Sequence, residues 1–317
     1  MQMKELGRSG LKLPAIMFGG NVFGWTADTA ASFRLLDALM DAGLNAIDTA
    51  DAYSRWVPGH KGGESEAIMG VWMKERRNRD KVIVATKVGM DLGEGKSGLS
   101  AKRIEYAVEA SLIRLQTDYI DLYQAHKDDE ATPLEETLEA FGKLVKAGKV
   151  RVLGASNYTA PRLAQALAVS EKLGLPRYES LQPHYNLVER AIFEDALGPL
   201  CREKQVGVIS YYSLASGFLS GKYRSAADAQ SKARSAGVQK YLNEKGFALL
   251  KVLDAQAARL GATPAQIALA WLIARPEVTA PIASATSLEQ LQDLEKAARL
   301  TLDAEAIQAL DAASAGF

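Results

Sequence analysis

The chain has 317 residues, in which 38 Lys and Arg balance 38 Asp and Glu, and it holds one cysteine, Cys201. That balance, with no basic block, excludes a nucleic-acid binder that works by neutralising phosphates, and a lone thiol excludes an internal disulfide or a multi-cysteine metal site. Hydrophobic residues at 48% and charged residues at 24% are ordinary for a chain that buries enough core to fold without such staples.

Lys4, Glu5, Arg8 and Lys12 interrupt the N-terminus where a secretory signal needs an apolar core, and no run of about 18 apolar residues follows anywhere. A reducing, cytoplasmic setting without membrane contact is expected. Residues 1–12 contain the turn Gly7-Arg8-Ser9-Gly10 and are expected to form a small hairpin closing the floor of what comes next. Short β-branched runs then alternate eight times with longer segments of helical apolar period. Strands are predicted over 13–20, 45–50, 81–88, 119–126, 150–157, 178–185, 207–214 and 279–285, each followed by a helix. The clearest helices cover 100–116, with Ser100 as N-cap, 134–149, opened by Thr132 and Pro133 with Gly148 near its end, 161–174, and 288–300. Between the seventh and eighth strands lie a polar loop, 224–239, and helices over 243–260 and 264–275. A last helix spans 303–313.

Eight such units with no shift in composition predict an α/β fold: one closed (β/α)8 barrel of the TIM type, with the N-terminal hairpin and extra C-terminal helices, as a single domain over 1–317. The loop 224–239 is long enough to act as a strap over a bound cofactor, the other reading being a plain surface loop.

In such barrels the chemistry sits where strands end, because several ends converge on one bowl. Here the ends read Gly20-Asn21, Asp48, Lys87, His126, Ser156-Asn157, Gln182, Tyr211 and Ser284, nearly all polar. Each such group, if buried, needs a partner or costs about 1–3 kcal/mol. Four of them make a working acid. Tyr53 follows Asp48 by five residues, close enough to turn its phenol back over the bowl. The ammonium of Lys87 is expected to lower the phenol's pKa from its usual value of about 10. Asp48 would hold Lys87 charged, and His126 would donate to the same substrate oxygen or relay a proton. Proteins lack a hydride donor of their own, so a reduction implies a cofactor. Ser156, Asn157 and Gln182 offer what a carboxamide edge needs, and Tyr211 a flat face for a nicotinamide.

At these residues the chain resembles the aldo-keto reductase family. The similar stretches are Asn45-Ala46-Ile47-Asp48-Thr49-Ala50-Asp51-Ala52-Tyr53, Ala85-Thr86-Lys87, Asp118-Tyr119-Ile120-Asp121-Leu122-Tyr123-Gln124-Ala125-His126, Gly154-Ala155-Ser156-Asn157, Leu181-Gln182-Pro183-His184-Tyr185-Asn186 and the run Val208 to Tyr223, ending Gly217-Phe218-Leu219-Ser220-Gly221-Lys222-Tyr223. The resemblance implies reduction of aldehydes and ketones by NADPH or NADH. Tyr53 would be the proton donor, supported by Asp48, Lys87 and His126. Ser156, Asn157 and Gln182 would hold the carboxamide and Tyr211 would stack on the ring. Leu214, Ser216, Leu219, Ser220 and Lys222 match the segment wrapping the pyrophosphate. Ser284, Thr286, Gln290 and Asp293 match the adenosine end. Gly20-Asn21-Val22 stands where the family often has Gly-Thr, which keeps the backbone contact and changes the side chain. Members that prefer NADPH usually carry Lys or Arg after the eighth strand, where Ser284-Ala285-Thr286 is uncharged. The start of the following helix still favours an anion, so NADPH is expected ahead of NADH.

Trp25, Trp56 and Phe317 are expected to rim the bowl, with Trp25, Trp56, Tyr53 and His126 meeting an apolar or aromatic carbonyl substrate. His184 reads as structural, His60 as a loop residue and Cys201 as inert core. Gly93-Glu94-Gly95-Lys96-Ser97 has Met90 where a phosphate loop needs its first glycine and reads as a turn. Asp128-Asp129-Glu130 lacks a ligand set, and no metal is expected. Two other functions compete. One is a nicotinamide-binding redox-sensing or regulatory subunit, as in the potassium-channel β-subunits that resemble this family. The other is a Schiff-base lyase using Lys87, which wants a neutral lysine that Asp48 opposes.

Overall fold

The computed structural model describes residues 3–93, 95–225, 228 and 237–317. Eight parallel strands close a barrel: β3 (Met17–Gly19), β4 (Ala46–Asp48), β5 (Ile83–Val88), β6 (Ile120–Ala125), β7 (Val150–Ser156), β8 (Tyr178–Gln182), β9 (Gly207–Ser210) and β10 (Val278–Ala283), with β10 returning to pair with β3. Before them, β1 (Met3–Glu5) and β2 (Lys12–Pro14) pair antiparallel, giving the expected hairpin. Its Leu6 and Leu13 join Met17, Ala46, Ala85, Leu122, Ile209 and Ala280 in a cluster inside the barrel. Apolar side chains therefore plug the floor, and polar ones are left for the opposite end.

The helices cover the outer face. They are α1 (Thr29–Asp41), α2 (Glu64–Arg76), α3 (Ala101–Leu115), α4 (Leu134–Lys146), α5 (Ala160–Leu173), α6 (Gly198–Lys204), α7 (Glu244–Leu260), α8 (Pro264–Ile273), α9 (Leu288–Arg299) and α10 (Ala304–Ala313). Their starts follow local chemistry. Ser100 caps α3 through the Arg103 amide, Thr159 caps α5, Thr263 and Gln266 form a reciprocal box on α8, and Asn243 caps α7. Where α2 crosses α3, Gly70 lies so close that a Cβ would fall 2.1 Å from the Arg114 carbonyl oxygen.

Several predicted strands are shorter in the structure. The stretch 13–20 divides, Lys12–Pro14 joining the hairpin and Met17–Gly19 the barrel, while Gly20–Val22 turns into a 3-10 helix. The strand predicted over 178–185 ends at Gln182, because Pro183 has no N–H to continue the ladder. That over 207–214 ends at Ser210, because Tyr212 takes a left-handed conformation, φ 53°. Helix α4 stops at Lys146, short of the predicted 149, with Gly148 at φ 74°. Of the loop 224–239, residues 226–227 and 229–236 lie outside the described residues, and the expected strap falls largely on them.

Candidate active site

Register places the charged core. Asp48 of β4 pairs with Ala85 of β5, so Lys87, two residues further along, rises on the same inner face and its chain reaches across to the carboxylate. Lys87 Nζ donates to Asp48 Oδ2 at 2.6 Å, to the Thr49 carbonyl at 2.8 Å and to the Tyr53 hydroxyl at 3.2 Å. The lysine is fully buried and Asp48 nearly so. Burial works against the ammonium, but the Asp48 carboxylate and then the Tyr53 phenol outweigh it and hold Lys87 above its ordinary 10.5. A lysine kept protonated in this way is a poor Schiff-base nucleophile.

For Tyr53 the structure corrects the expected direction. Burial disfavours phenolate more than Lys87 favours it, Asp48 adds to the effect, and the phenol lies above its ordinary 10. The Lys87 ammonium, itself paired with Asp48, offsets the burial only in part. Tyr53 thus keeps its proton across the neutral range. His126 continues the inner face of β6, its ring edge-on to Tyr53 with centroids 5.9 Å apart. Burial first, then Lys87 and Lys127, push its pKa well below the ordinary 6.5, so the imidazole is neutral. Its Nδ1 is buried with no hydrogen-bond partner.

The second oxygen of Asp48 accepts from Gln182 Nε2 at 2.9 Å and from Gln124 Nε2 at 3.3 Å, and Gln182 also donates to Gln124 Oε1 at 3.3 Å. Gln124 lies within the family-like stretch 118–126, but no role for it follows from the sequence alone. Strand alternation is the signal that finds it: Leu122 points into the barrel and His126 into the cleft, so Gln124 between them faces inward. Alongside, Ser156 Oγ donates to the Gln182 carbonyl at 2.9 Å, Asn157 Nδ2 to the His126 carbonyl at 2.9 Å, and the Tyr211 hydroxyl to Asn157 Oδ1 at 2.8 Å. His184 stacks on Tyr211, with centroids 5.2 Å apart and planes 17° apart.

These groups line one end of a cleft of about 960 Å³. Trp25 and Trp56 meet edge-to-face at its mouth, 5.6 Å apart, and Trp56 also meets Tyr53 at 5.6 Å. From there the cleft passes Asn21, Val22, Ser284, Leu214, Ser216, Ser220 and Lys222 to Thr286, Gln290 and Asp293. Ser284 Oγ donates to Asn21 Oδ1 at 2.8 Å, Gln290 Oε1 accepts from the Thr286 amide at 2.8 Å, and Asp293 accepts from Gln266 at 2.7 Å. Ala215, Ser216 and Gly217 take successive positive φ values of 47°, 57° and 94°. At Gly217 a Cβ would lie 2.7 Å from Lys222 Nζ, so the bare backbone makes room for that ammonium beside the turn. Successive left-handed residues of this kind form concavities suited to anions.

Some expected residues stand elsewhere. Gly20 is behind the cleft wall, its carbonyl accepting from Ser65 Oγ. The Leu219 side chain is wholly buried in the core. Lys87 sits beneath Tyr53 rather than on the cleft surface. Phe317 does not join the two tryptophans: its carbonyl accepts from the Ala191 amide and its ring lies 4.1 Å from the Lys245 ammonium. Tyr212, half exposed, lines the cleft without having been expected. Among the described residues no group of three potential metal ligands occurs. Asp128 gives both oxygens to Arg162, and Asp129 accepts from the Leu99 amide and Thr132. Gly93 and Lys96 belong to a turn closed by the Lys96 amide. Cys201 is buried and its thiol is pushed up to about 12, chiefly by burial.

Fold and site together define a (β/α)8-barrel protein whose polar groups gather at the C-terminal ends of its strands. Within that class the chain belongs to the aldo/keto reductase family, whose description it matches over residues 15–315, a family of NAD(P)H-dependent oxidoreductases. It is 36% identical to the "Uncharacterized oxidoreductase YrpG" of Bacillus subtilis (strain 168), covering 98% of this chain and 95% of that protein. It is 34% identical to a "Probable voltage-gated potassium channel subunit beta" of Arabidopsis thaliana, covering 94% and 91%. It is 31% identical to the "L-glyceraldehyde 3-phosphate reductase" of Escherichia coli O157:H7, covering 98% and 92%. No helix among the described residues is long and apolar enough to cross a membrane.

Proposed function

We propose that this chain, acting as one domain in the cytoplasm, reduces small aldehydes and ketones to alcohols, with Tyr53 as proton donor. The observation that carries the reading is the buried Lys87 ammonium, which touches the Tyr53 hydroxyl and Asp48 at once. Tyr53, protonated at neutrality and lining the cleft, gives its proton to the carbonyl oxygen, and Lys87 stabilises the phenolate left behind. His126, neutral, offers a hydrogen bond to the same oxygen. Asp48 holds the ammonium in place.

NADPH, in preference to NADH, would supply the hydride when bound. The Gly217 and Lys222 cradle fits a pyrophosphate, and Ser156, Asn157 and Gln182 present the polar edge a carboxamide needs. Tyr211 offers the face, and Thr286 with the N-terminus of α9 favours an added phosphate. At the mouth, Trp25 and Trp56 suit a flat apolar carbonyl compound.

The test is a fluorescence titration with NADPH and NADH in parallel, followed by steady-state turnover of a carbonyl panel with the tighter cofactor. NADPH is expected to bind more tightly, and an aromatic aldehyde to outpace a sugar of similar reactivity. Failure to cycle with any carbonyl would count against the reading. It would favour instead a redox-sensing regulatory subunit, for which the 34% identity to a protein named as a channel β-subunit speaks.

A further inference from the structure

Asp51 lies two residues before Tyr53, in the loop leaving β4, yet outside the cleft lining, with 1% of its surface exposed. Its Oδ2 accepts from Arg103 Nη2 of α3 at 2.6 Å, and its amide donates to the Lys87 carbonyl at 3.2 Å. A second pair adjoins it. Glu66 of α2 accepts from Thr86 Oγ1 at 2.6 Å and from Arg114 Nε of α3 at 2.7 Å. Two carboxylates and two guanidiniums sum to zero, so this pocket has no excess charge with which to hold an ion. Three of its polar atoms are nonetheless buried with no hydrogen-bond partner: Asp51 Oδ1, Arg103 Nε and the hydroxyl of Tyr123 on β6. A fully engaged structural ion pair would not leave a carboxylate oxygen idle.

The loop is tied on both sides of this residue. The Tyr53 amide donates to the Ala50 carbonyl at 3.1 Å, and the Tyr53 carbonyl accepts from the Gly63 amide at 2.8 Å. Asp51 is therefore the one charged side chain on the short turn between Asp48 and Tyr53, and it grips the outer helical layer.

We propose that Asp51 is a positioning residue for Tyr53: its ion pair with Arg103 pins the turn that carries the phenol to Lys87, and a proton on its idle oxygen loosens that pin. The inference rests on Tyr53 being the proton donor. Asp51 faces Glu66 from α2, Arg103 and Arg114 from α3, and Tyr123 from β6. Burial, then Glu66, raise its carboxyl to about 7 against the opposing pull of the two arginines. The grip is thus full above neutrality and weakens as pH falls through it.

The test uses the whole chain with saturating NADPH and an aromatic aldehyde, across neutrality. Wild-type kcat is expected to fall on the acid side. In Asp51→Asn, kcat is expected to drop about tenfold with KM little changed, since a misplaced acid harms the chemical step more than binding. The acid-side fall should vanish, and Asp51→Glu should recover part of the loss. Asp51→Asn with wild-type kcat, or with the acid-side fall intact, overturns the proposal. If that variant does not fold, Arg103→Lys keeps the charge on a shorter side chain, loses the Nη2 contact to Asp51 and should lower kcat in the same way; unchanged kcat there is equally fatal. Trp56 gives a readout that needs no turnover, because its ring touches Tyr53. Its emission, isolated by subtracting the Trp56→Phe protein, should change through neutrality in the wild type and stay flat in Asp51→Asn. A flat wild-type response, or the same response in both, overturns the positioning role, whereas absent turnover counts only against the reductase reading.

Discussion

Gln182 Nε2 lies 2.9 Å from Asp48 Oδ1, joining residues 134 apart in sequence. The same amide belongs to the set proposed to hold the cofactor's carboxamide, so it links the charged core to the cleft wall. Replacing Gln182 by Leu removes a hydrogen bond to a buried carboxylate, worth about 1.5–3 kcal/mol. Denaturant melts should show that loss, and cofactor affinity should weaken in the same variant. A variant as stable as the parent would mean the link is idle.

Tyr53→Phe keeps the ring against Trp56 and removes the hydroxyl to which Lys87 Nζ donates. Carbonyl reduction should fall by about a hundredfold or more, while cofactor binding, followed by fluorescence, stays near the parent value. Wild-type turnover in this variant would end the proton-donor role.

Lys87→Met leaves Asp48 buried with its charge uncompensated. Breaking one side of a buried pair costs about 3–5 kcal/mol, so chemical denaturation should show a marked loss at neutral pH. The loss should shrink as acid neutralises the stranded carboxylate. A deficit independent of pH would contradict the pairing.

His126 has a folded-state pKa well below the ordinary 6.5, with burial the leading cause. Below about 6.5 the unfolded chain takes up a proton that the folded one refuses, so this group's contribution to stability declines as pH drops from there. The difference in stability between His126→Asn and the parent should move in the variant's favour over that window. An imidazole NMR titration in the folded protein should find no His126 transition near 6.5; one there would refute the assignment.

Gly70→Ala is expected to cost about 1–3 kcal/mol by overpacking, because the added methyl would meet the Arg114 carbonyl at 2.1 Å where α2 crosses α3. An unchanged melting temperature would show that the two helices can part without penalty.

Much was legible from the chain alone. Eight alternations of β-branched runs and helical period lead to a closed parallel barrel, because strands buried on both faces must be apolar throughout and their crossovers share one hand. Polar residues at successive strand ends then mark the bowl. Strand ends were less legible, since Pro183 and the left-handed Tyr212 halt their ladders at Gln182 and Ser210. Phe317 read as a rim aromatic only because its distance from Trp25 is invisible in one dimension.

The residue types and their order determined that Asp48, Tyr53, Lys87 and His126 share one end of the barrel, since local period and strand register are written in the chain. Only the tertiary structure decided what each group is there. Burial and pairing depend on which distant side chains close over an atom, and these turn Tyr53 into a phenol that keeps its proton and His126 into a neutral ring. They also bring Gln124 onto Asp48 and seat Asp51 against Arg103, 52 residues away in sequence.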